Sequence, residues 1–146
     1  MMTPLTTRYL DYTITTDKSL MNINDVHKWL SEESYWCKGI DFETYKKAFD
    51  NSFCIGTIYK GRQIGYARLV TDYVILGYLA DVFVTEEHRG KGISKRMMEV
   101  LMGLDWVKQL WVLRLATTDA HELYRKFGFS SILHPEKMME LIRSRK

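Results

Sequence analysis

Between positions 89 and 96 the chain reads Arg89-Gly90-Lys91-Gly92-Ile93-Ser94-Lys95-Arg96, two glycines and a serine among four cations. Gly90 and Gly92 accept backbone conformations closed to other residues, so consecutive N–H groups there can converge on one anion. The apolar positions Ile93, Met97, Val100, Leu101 and Leu104 recur at helical spacing, which puts the loop where a helix begins. Ser94, in the first turn, adds a hydroxyl donor, and Arg89, Lys91, Lys95 and Arg96 add positive charge. This is the chemistry of a phosphate seat, and a pyrophosphate suits it. The spacing excludes the commoner nucleotide motifs: there is no G-x-x-x-x-G-K-[ST] run, and Gly90-Lys91-Gly92 leads to Met97 instead of a third glycine. Taken alone, the loop is equally an ordinary strand-to-helix turn with a solvated basic face.

Two further side chains invite a chemical role. Asp81 interrupts the otherwise apolar stretch Leu79 to Val84, and a carboxylate there must be paired, protonated or used. Burial would raise its pKa toward that of a base working near neutrality, whereas Arg68 or Arg114 would make it half of an ion pair. Both readings stand. Tyr124 shares a helical face with Ala120 and Phe127, and is either a proton donor or a core tyrosine with a satisfied hydroxyl.

The loop resembles the acetyl-CoA signature of the GNAT superfamily of N-acetyltransferases, [Q/R]-x-x-G-x-[G/A], met here by Arg89-Gly90-Lys91-Gly92-Ile93 with Ser94 closing it. Ser94 replaces the usual Gly or Ala and is small enough to permit the close backbone approach. Downstream, Ala120-His121-Glu122-Leu123-Tyr124-Arg125-Lys126-Phe127-Gly128-Phe129 resembles the superfamily's second block, a helix carrying a tyrosine and ending at Gly-Phe. The resemblance implies acetyl-CoA as acyl donor and Tyr124 as the acid that protonates the departing sulfur. It also implies that the main chain of Val82, Phe83 and Val84 pairs with the pantetheine arm like an added strand. Many members hold that arm with an Asn after the last parallel strand; here Thr117-Thr118-Asp119 stands in that place, with Asp119 as the candidate contact. The expected activity is N-acetylation of a primary amine of a small molecule or peptide, with a non-catalytic coenzyme A sensor as the alternative. A homodimer through the C-terminal strands is a further implication.

Acyl transfer from a thioester to an amine poses two proton problems. An alkylammonium with pKa near 10.4 must lose a proton before attack, and a departing thiolate with pKa of roughly 8.5 is helped by a donor. A main-chain N–H could also polarise the thioester carbonyl. For the base, Asp81 leads, with Glu86, Asp72, His121 or a water chain open. The acceptor pocket is expected among the first two helices and the Trp36 to Gly39 and Asp72 to Gly77 loops, where Trp29, Tyr35, Trp36 and Tyr73 are aromatic. That lining suits an apolar or cationic amine.

The elements that must position these groups follow from pattern. Tyr9 to Thr15 reads as a first strand ending in Thr16-Asp17-Lys18-Ser19. Asn22 or Asn24 caps a short helix through Val26, Trp29 and Leu30, and Asp41 opens a second with Phe42, Tyr45 and Phe49 on one face. Phe53 to Tyr59, the connection Lys60-Gly61-Arg62-Gln63 and Ile64 to Thr71 form an antiparallel pair. Tyr78 to Val84, the helix Ile93 to Leu104 and Trp111 to Ala116 make a strand–helix–strand crossover, which demands parallel pairing. Asp119 with Glu122 reads as a capping box, and Gly128 as the helix's left-handed end. Phe129 to Leu133 and Lys137 to Leu141 read as two last strands. The fold class is α/β: a mixed, mostly antiparallel twisted sheet flanked by helices, with a central parallel pair splayed at the cofactor site.

The 146 residues are expected to form a single domain, positions 1–146, with a sizeable core. Apolar content of 46% with 27% charged residues is that of a soluble globular protein. No run approaches membrane-spanning length and Met1-Met2-Thr3-Pro4-Leu5 has no signal-peptide pattern, so a cytoplasmic location is expected. Cys37 and Cys54 lack metal-ligand spacing and read as free thiols, and no metal site is expected. The net charge of +3 is slight for a nucleic-acid binder, and the tail Arg143-Ser144-Arg145-Lys146 reads as solvated.

Overall fold

The structure is a computed structural model that describes residues 2–143. Met1 and Ser144 to Lys146 of the basic tail lie outside the described residues. Six strands, β1 (Thr6–Tyr9), β2 (Tyr12–Thr15), β3 (Phe53–Tyr59), β4 (Arg62–Thr71), β5 (Leu76–Val84) and β6 (Val112–Leu115), lie side by side in chain order in one sheet. The first four junctions are antiparallel, and β5 runs parallel to β6. The helices are α1 (Ile23–Glu32), α2 (Phe42–Asp50), α3 (Ile93–Gly103), α4 (Asp105–Lys108) and α5 (His121–Arg125).

Local chemistry sets the helix starts. Asn22 Oδ1 accepts from the Asp25 N–H at 3.1 Å, and Asp41 Oδ2 accepts from the Thr44 N–H at 2.9 Å, each satisfying a first-turn donor. The sheet then divides the apolar residues by face. Ile55, Ala67 and Leu69 pack with Ile93, Met97 and Leu101 of α3, while Cys54, Tyr66 and Phe83 pack with Val26, Leu30, Tyr45 and Phe49 of α1 and α2. Each large apolar side chain in these layers contributes about 1.5–3 kcal/mol when buried. No helix among the described residues is long and apolar enough to cross a membrane.

Three expectations need correction. Tyr9 to Thr15 is not one strand but the turn and second strand of a hairpin that begins at Thr6, with Tyr9 opposite Tyr12 across the turn Leu10-Asp11. Leu10, 67% exposed, takes a φ of +53°, a conformation that a leucine does not advertise. Second, the helix carrying Tyr124 starts at Ala120 with no side-chain cap. Asp119 therefore does not form a capping box; Thr117 Oγ1 accepts from the Ala120 N–H at 3.1 Å, and Glu122 pairs with Arg125. Third, neither 129–133 nor 137–141 is a strand among the described residues; the segment contains a single 3₁₀ turn, Pro135–Lys137. A strand needs a partner as well as β-branched or aromatic residues. Ser130 and Ser131 interrupt the apolar run, Pro135 has no N–H to give a ladder, and Leu133, Met139 and Leu141 stand at 84%, 96% and 76% exposure. The segments through which a dimer is expected are thus not strands here.

Candidate active site

The site is shaped by one extra residue in β5. Tyr66 pairs with Phe83 and Arg68 with Ala80, so Ala67 alone opposes Asp81 and Val82. Such a bulge bends its strand and re-aims the side chains beyond it. Asp81 takes a φ of +56°, in the left-handed region that Asp tolerates better than most residues. Leu79 and Phe83, four apart, would share a face in a regular strand. They belong instead to opposite layers, Leu79 with α3 and Phe83 with α1 and α2. The parallel ladder with β6 ends just before the bulge, pairing Leu76 to Leu79 with Val112 to Leu115. From Ala80 onward, the edge of β5 that would face β6 opens into a cleft of about 1240 Å³ lined by Asp81, Val82, Phe83, Val84, Arg89, Ser94, Asp119 and Tyr124.

Between Arg89 and Ser94, which line the cleft, Gly90 and Gly92 have φ of +77° and +79°, a conformation that glycine reaches without strain. Gly92 is the N-cap of α3 and brings no side chain to its first-turn N–H groups, leaving them for an external acceptor. A β-carbon on Gly92 would come 2.8 Å from the Tyr9 hydroxyl, which donates to the Lys91 carbonyl at 2.7 Å. Arg96 lies over the Tyr9 ring at 5.6 Å. Arg89 turns back to donate from Nε to the Val84 carbonyl at 2.9 Å, tying the loop to the end of β5. Lys91 and Lys95 are exposed, whereas the Ile93 side chain is core at 2% exposure, so only its main chain is available to a ligand.

Across the cleft, Tyr124 is 7% exposed and makes an edge-on contact with Phe129, ring centroids 6.0 Å apart. Burial, with the Asp119 carboxylate adding to it, pushes the Tyr124 phenol above its usual pKa. It therefore keeps its proton through neutrality, the form an acid needs.

Asp81 is paired. Its Oδ2 accepts from Arg68 Nε at 2.7 Å and from the Tyr45 hydroxyl at 2.8 Å, and its Oδ1 from Trp36 Nε1 at 2.8 Å. Arg68, not Arg114, is the partner, and it also donates to the Ser52 hydroxyl at 3.2 Å. Burial alone would lower the Arg68 pKa, but Asp81 beside it outweighs that and holds it above its usual value. Among the other candidate bases, Glu86 lines the cleft. Asp72 accepts from the N–H groups of Val74, Ile75 and Leu76 in its own turn, and His121 is exposed.

Several contributors carry no local signal. Tyr9 meets Lys91 over 82 residues, Tyr45 meets Asp81 over 36, and Tyr35 Oη lies 2.6 Å from Thr118 Oγ1 over 83. Tyr12 Oη lies 2.7 Å from His88 Nδ1 in the turn before the glycine loop. Alternation marks Tyr9 and Tyr12, and helical spacing Tyr45, only as members of apolar faces; their hydroxyl partners are set by tertiary packing.

The family model described as "Acetyltransferase (GNAT) family" matches residues 23–129. A crystal structure from Xanthomonas campestris pv. campestris, assigned as an acetyltransferase of the GNAT family, is 40% identical, with a TM-score of 0.87 over 90% of this chain and 93% of that one. A protein from Gibberella zeae assigned as an acetyltransferase is 29% identical over 137 residues, covering 80% of this chain and 77% of that protein. The fold also matches a crystal structure from Staphylococcus aureus at a TM-score of 0.74, with 22% identity and coverage of 91% and 99%. With the bulged strand, the uncapped helix start and the facing tyrosine in one cleft, this chain belongs to the GNAT family of acetyltransferases.

Proposed function

We propose that the protein transfers the acetyl group of acetyl-CoA to a primary amine by direct attack on the thioester. The observation that carries this reading is that Ser94 in the first turn of α3, whose N-cap Gly92 brings no side chain, the β5 residues beyond the parallel ladder and Tyr124 line one cleft. The fit to the donor is chemical. Main-chain N–H groups from Gly92 into the first turn of α3 suit a diphosphate, helped by Arg89, Lys91 and the Ser94 hydroxyl. The β5 edge from Val82 through Val84 offers ladder groups to an amide-bearing arm, as a sheet edge does to an added strand. Asp119, in the loop before α5, lines the same cleft and would contact that arm.

In the reaction the amine nitrogen bonds to the acyl carbon as the carbon–sulfur bond breaks. The electron pair leaves on sulfur, and Tyr124 supplies the proton that makes it a thiol. The ammonium loses one proton to solvent before attack, and the second, released as the amide forms, returns through solvent to the Tyr124 phenolate. Asp81 is assigned a positioning role instead of that of a base: one oxygen serves two donors, and taking up a proton would break its pair with Arg68. It fixes Trp36, Tyr45 and Arg68 around the bulge that opens the cleft.

Calorimetry with acetyl-CoA, together with thiol release over a library of amino acids, polyamines, aminoglycosides, arylalkylamines and peptides, tests this. Binding followed by amine-dependent thiol release is the expected result. Binding without turnover for any amine would identify a coenzyme A sensor, and no binding would remove the proposal.

A further inference from the structure

The α1–α2 connection and the segment that follows β6 both line the cleft, and a side-chain hydrogen bond joins them. Tyr35 Oη lies 2.6 Å from Thr118 Oγ1, and both residues line the cleft. Tyr35 is 74% exposed, so its ring crosses open space instead of filling the core. Beneath it the aromatic rings continue inward. Tyr35 meets Trp36 edge-on at 5.0 Å, Trp36 lies 5.9 Å from Trp29, and Trp29 stacks flat on Phe83 at 4.2 Å with the planes 5° apart. The guanidinium at this end, Arg68, is engaged by Asp81 and Ser52, while the Glu33 carboxylate also lines the cleft.

We propose that the Tyr35–Thr118 contact is a strap roofing the acceptor end of the cleft, and that the acceptor is a small amine with an aromatic or apolar body. This rests on the acetyl-CoA-dependent N-acetyltransferase reading above and names its substrate class. Ring faces attract a cation and stack on a flat apolar body, and a carboxylate near the mouth favours an alkylammonium. A lysine within a polypeptide would need its chain to leave the cleft on both sides. With its backbone lying across the place where Tyr35 and Thr118 meet, a peptide would hold that contact open. A small amine fits beneath the strap after a single exposed hydrogen bond opens and recloses.

Thiol release from acetyl-CoA by the full chain, with 2-phenylethylamine and tryptamine set against spermidine, free lysine and a lysine-containing peptide, tests this. The arylalkylamines should give kcat/KM values about tenfold or more above the other amines. Tyr35→Ala should raise their KM about tenfold while the KM for acetyl-CoA stays put, and Tyr35→Phe, which keeps the ring and loses the strap, about threefold. Preference for the peptide or spermidine, or an unchanged amine KM in Tyr35→Ala, would overturn the inference and leave N-acetylation standing. Calorimetric binding of acetyl-CoA without thiol release for any amine would overturn both.

Discussion

The hydroxyl of Tyr9, at the end of the first strand, donates to the main-chain carbonyl of Lys91 at 2.7 Å, in the middle of the glycine loop. A carbonyl held this way fixes the Lys91–Gly92 peptide plane and with it the direction of the Gly92 N–H. Tyr9→Phe removes the hydroxyl and keeps the ring beneath Arg96. It should raise the KM for acetyl-CoA by about three- to tenfold with kcat unchanged, a hydrogen bond of this kind contributing about 0.5–1.5 kcal/mol. Gly92→Ala is the harsher change, because φ is +79° and its β-carbon would sit 2.8 Å from that hydroxyl. Calorimetry should show coenzyme A affinity lost in Gly92→Ala and weakened in Tyr9→Phe, with the far-ultraviolet dichroism of both intact.

Asp81→Asn separates a positioning carboxylate from a base. Asn tolerates the left-handed backbone at this position, so the bulge survives. Arg68, whose side chain is 17% exposed, then loses its countercharge, and breaking such a buried pair costs about 3–5 kcal/mol. Urea unfolding should show a loss of this order. Arg68→Met with Asp81→Asn should recover part of it, since two neutral side chains leave no buried charge. If Asp81→Asn instead kept full stability and lost activity by a factor of about a hundred or more, the carboxylate would be the base.

These residues also show where legibility in the sequence ends. The glycine loop and the helix behind it are written locally, in spacing and residue type, and fold where periodicity places them, whereas the Tyr124 helix is shorter than its spacing suggests and lacks the cap that Asp119 advertised. The bulge at Asp81 is not: a single carboxylate in an apolar strand announces that something must satisfy it but does not name Trp36 or Tyr45, which arrive from another part of the chain. The C-terminal run from Phe129 fails for the complementary reason. Its side chains suit a strand, but pairing is a relation between two segments, and among the described residues no second strand pairs with it. Leu10 shows the same limit at small scale, a turn imposed by the pairing of Tyr9 with Tyr12 on a residue with no turn signal.

Asp25 ties the first turn of α1 to the β3–β4 hairpin, accepting from Arg62 Nε and from the Gln63 N–H, each at 3.0 Å. Burial alone would raise its carboxyl, but the Arg62 hydrogen bond, the Gln63 N–H and nearby cations outweigh it and hold the group below its usual pKa. The folded value is thus lower than the unfolded one. The contact stabilises the fold fully above the unfolded value, near pH 3.9, and the stabilisation is lost as pH falls through the folded value. Denaturant midpoints taken from pH 6 down to pH 2 should fall less steeply in Asp25→Asn than in the parent, and the two curves should converge at the acid end. Curves that stay parallel would mean that the carboxyl is not perturbed.

Tyr124 carries the sharpest pH signature. Its phenol is raised above the ordinary value near 10, by burial first and the Asp119 carboxylate second. The acid form therefore extends to higher pH than that of an ordinary phenol, toward the range in which an amine acceptor sheds its proton. The kcat profile should rise toward alkaline pH with the amine and turn down only above about pH 10, where Tyr124 ionises. Asp119→Asn removes the smaller of the two causes, so the downturn should move to lower pH while remaining above the usual phenol range. Tyr124→Phe should abolish the downturn and lower kcat by about a hundredfold or more, with the KM for acetyl-CoA within about twofold of the parent. A downturn that persists in Tyr124→Phe would assign the alkaline limb to another group and leave the phenol a core side chain.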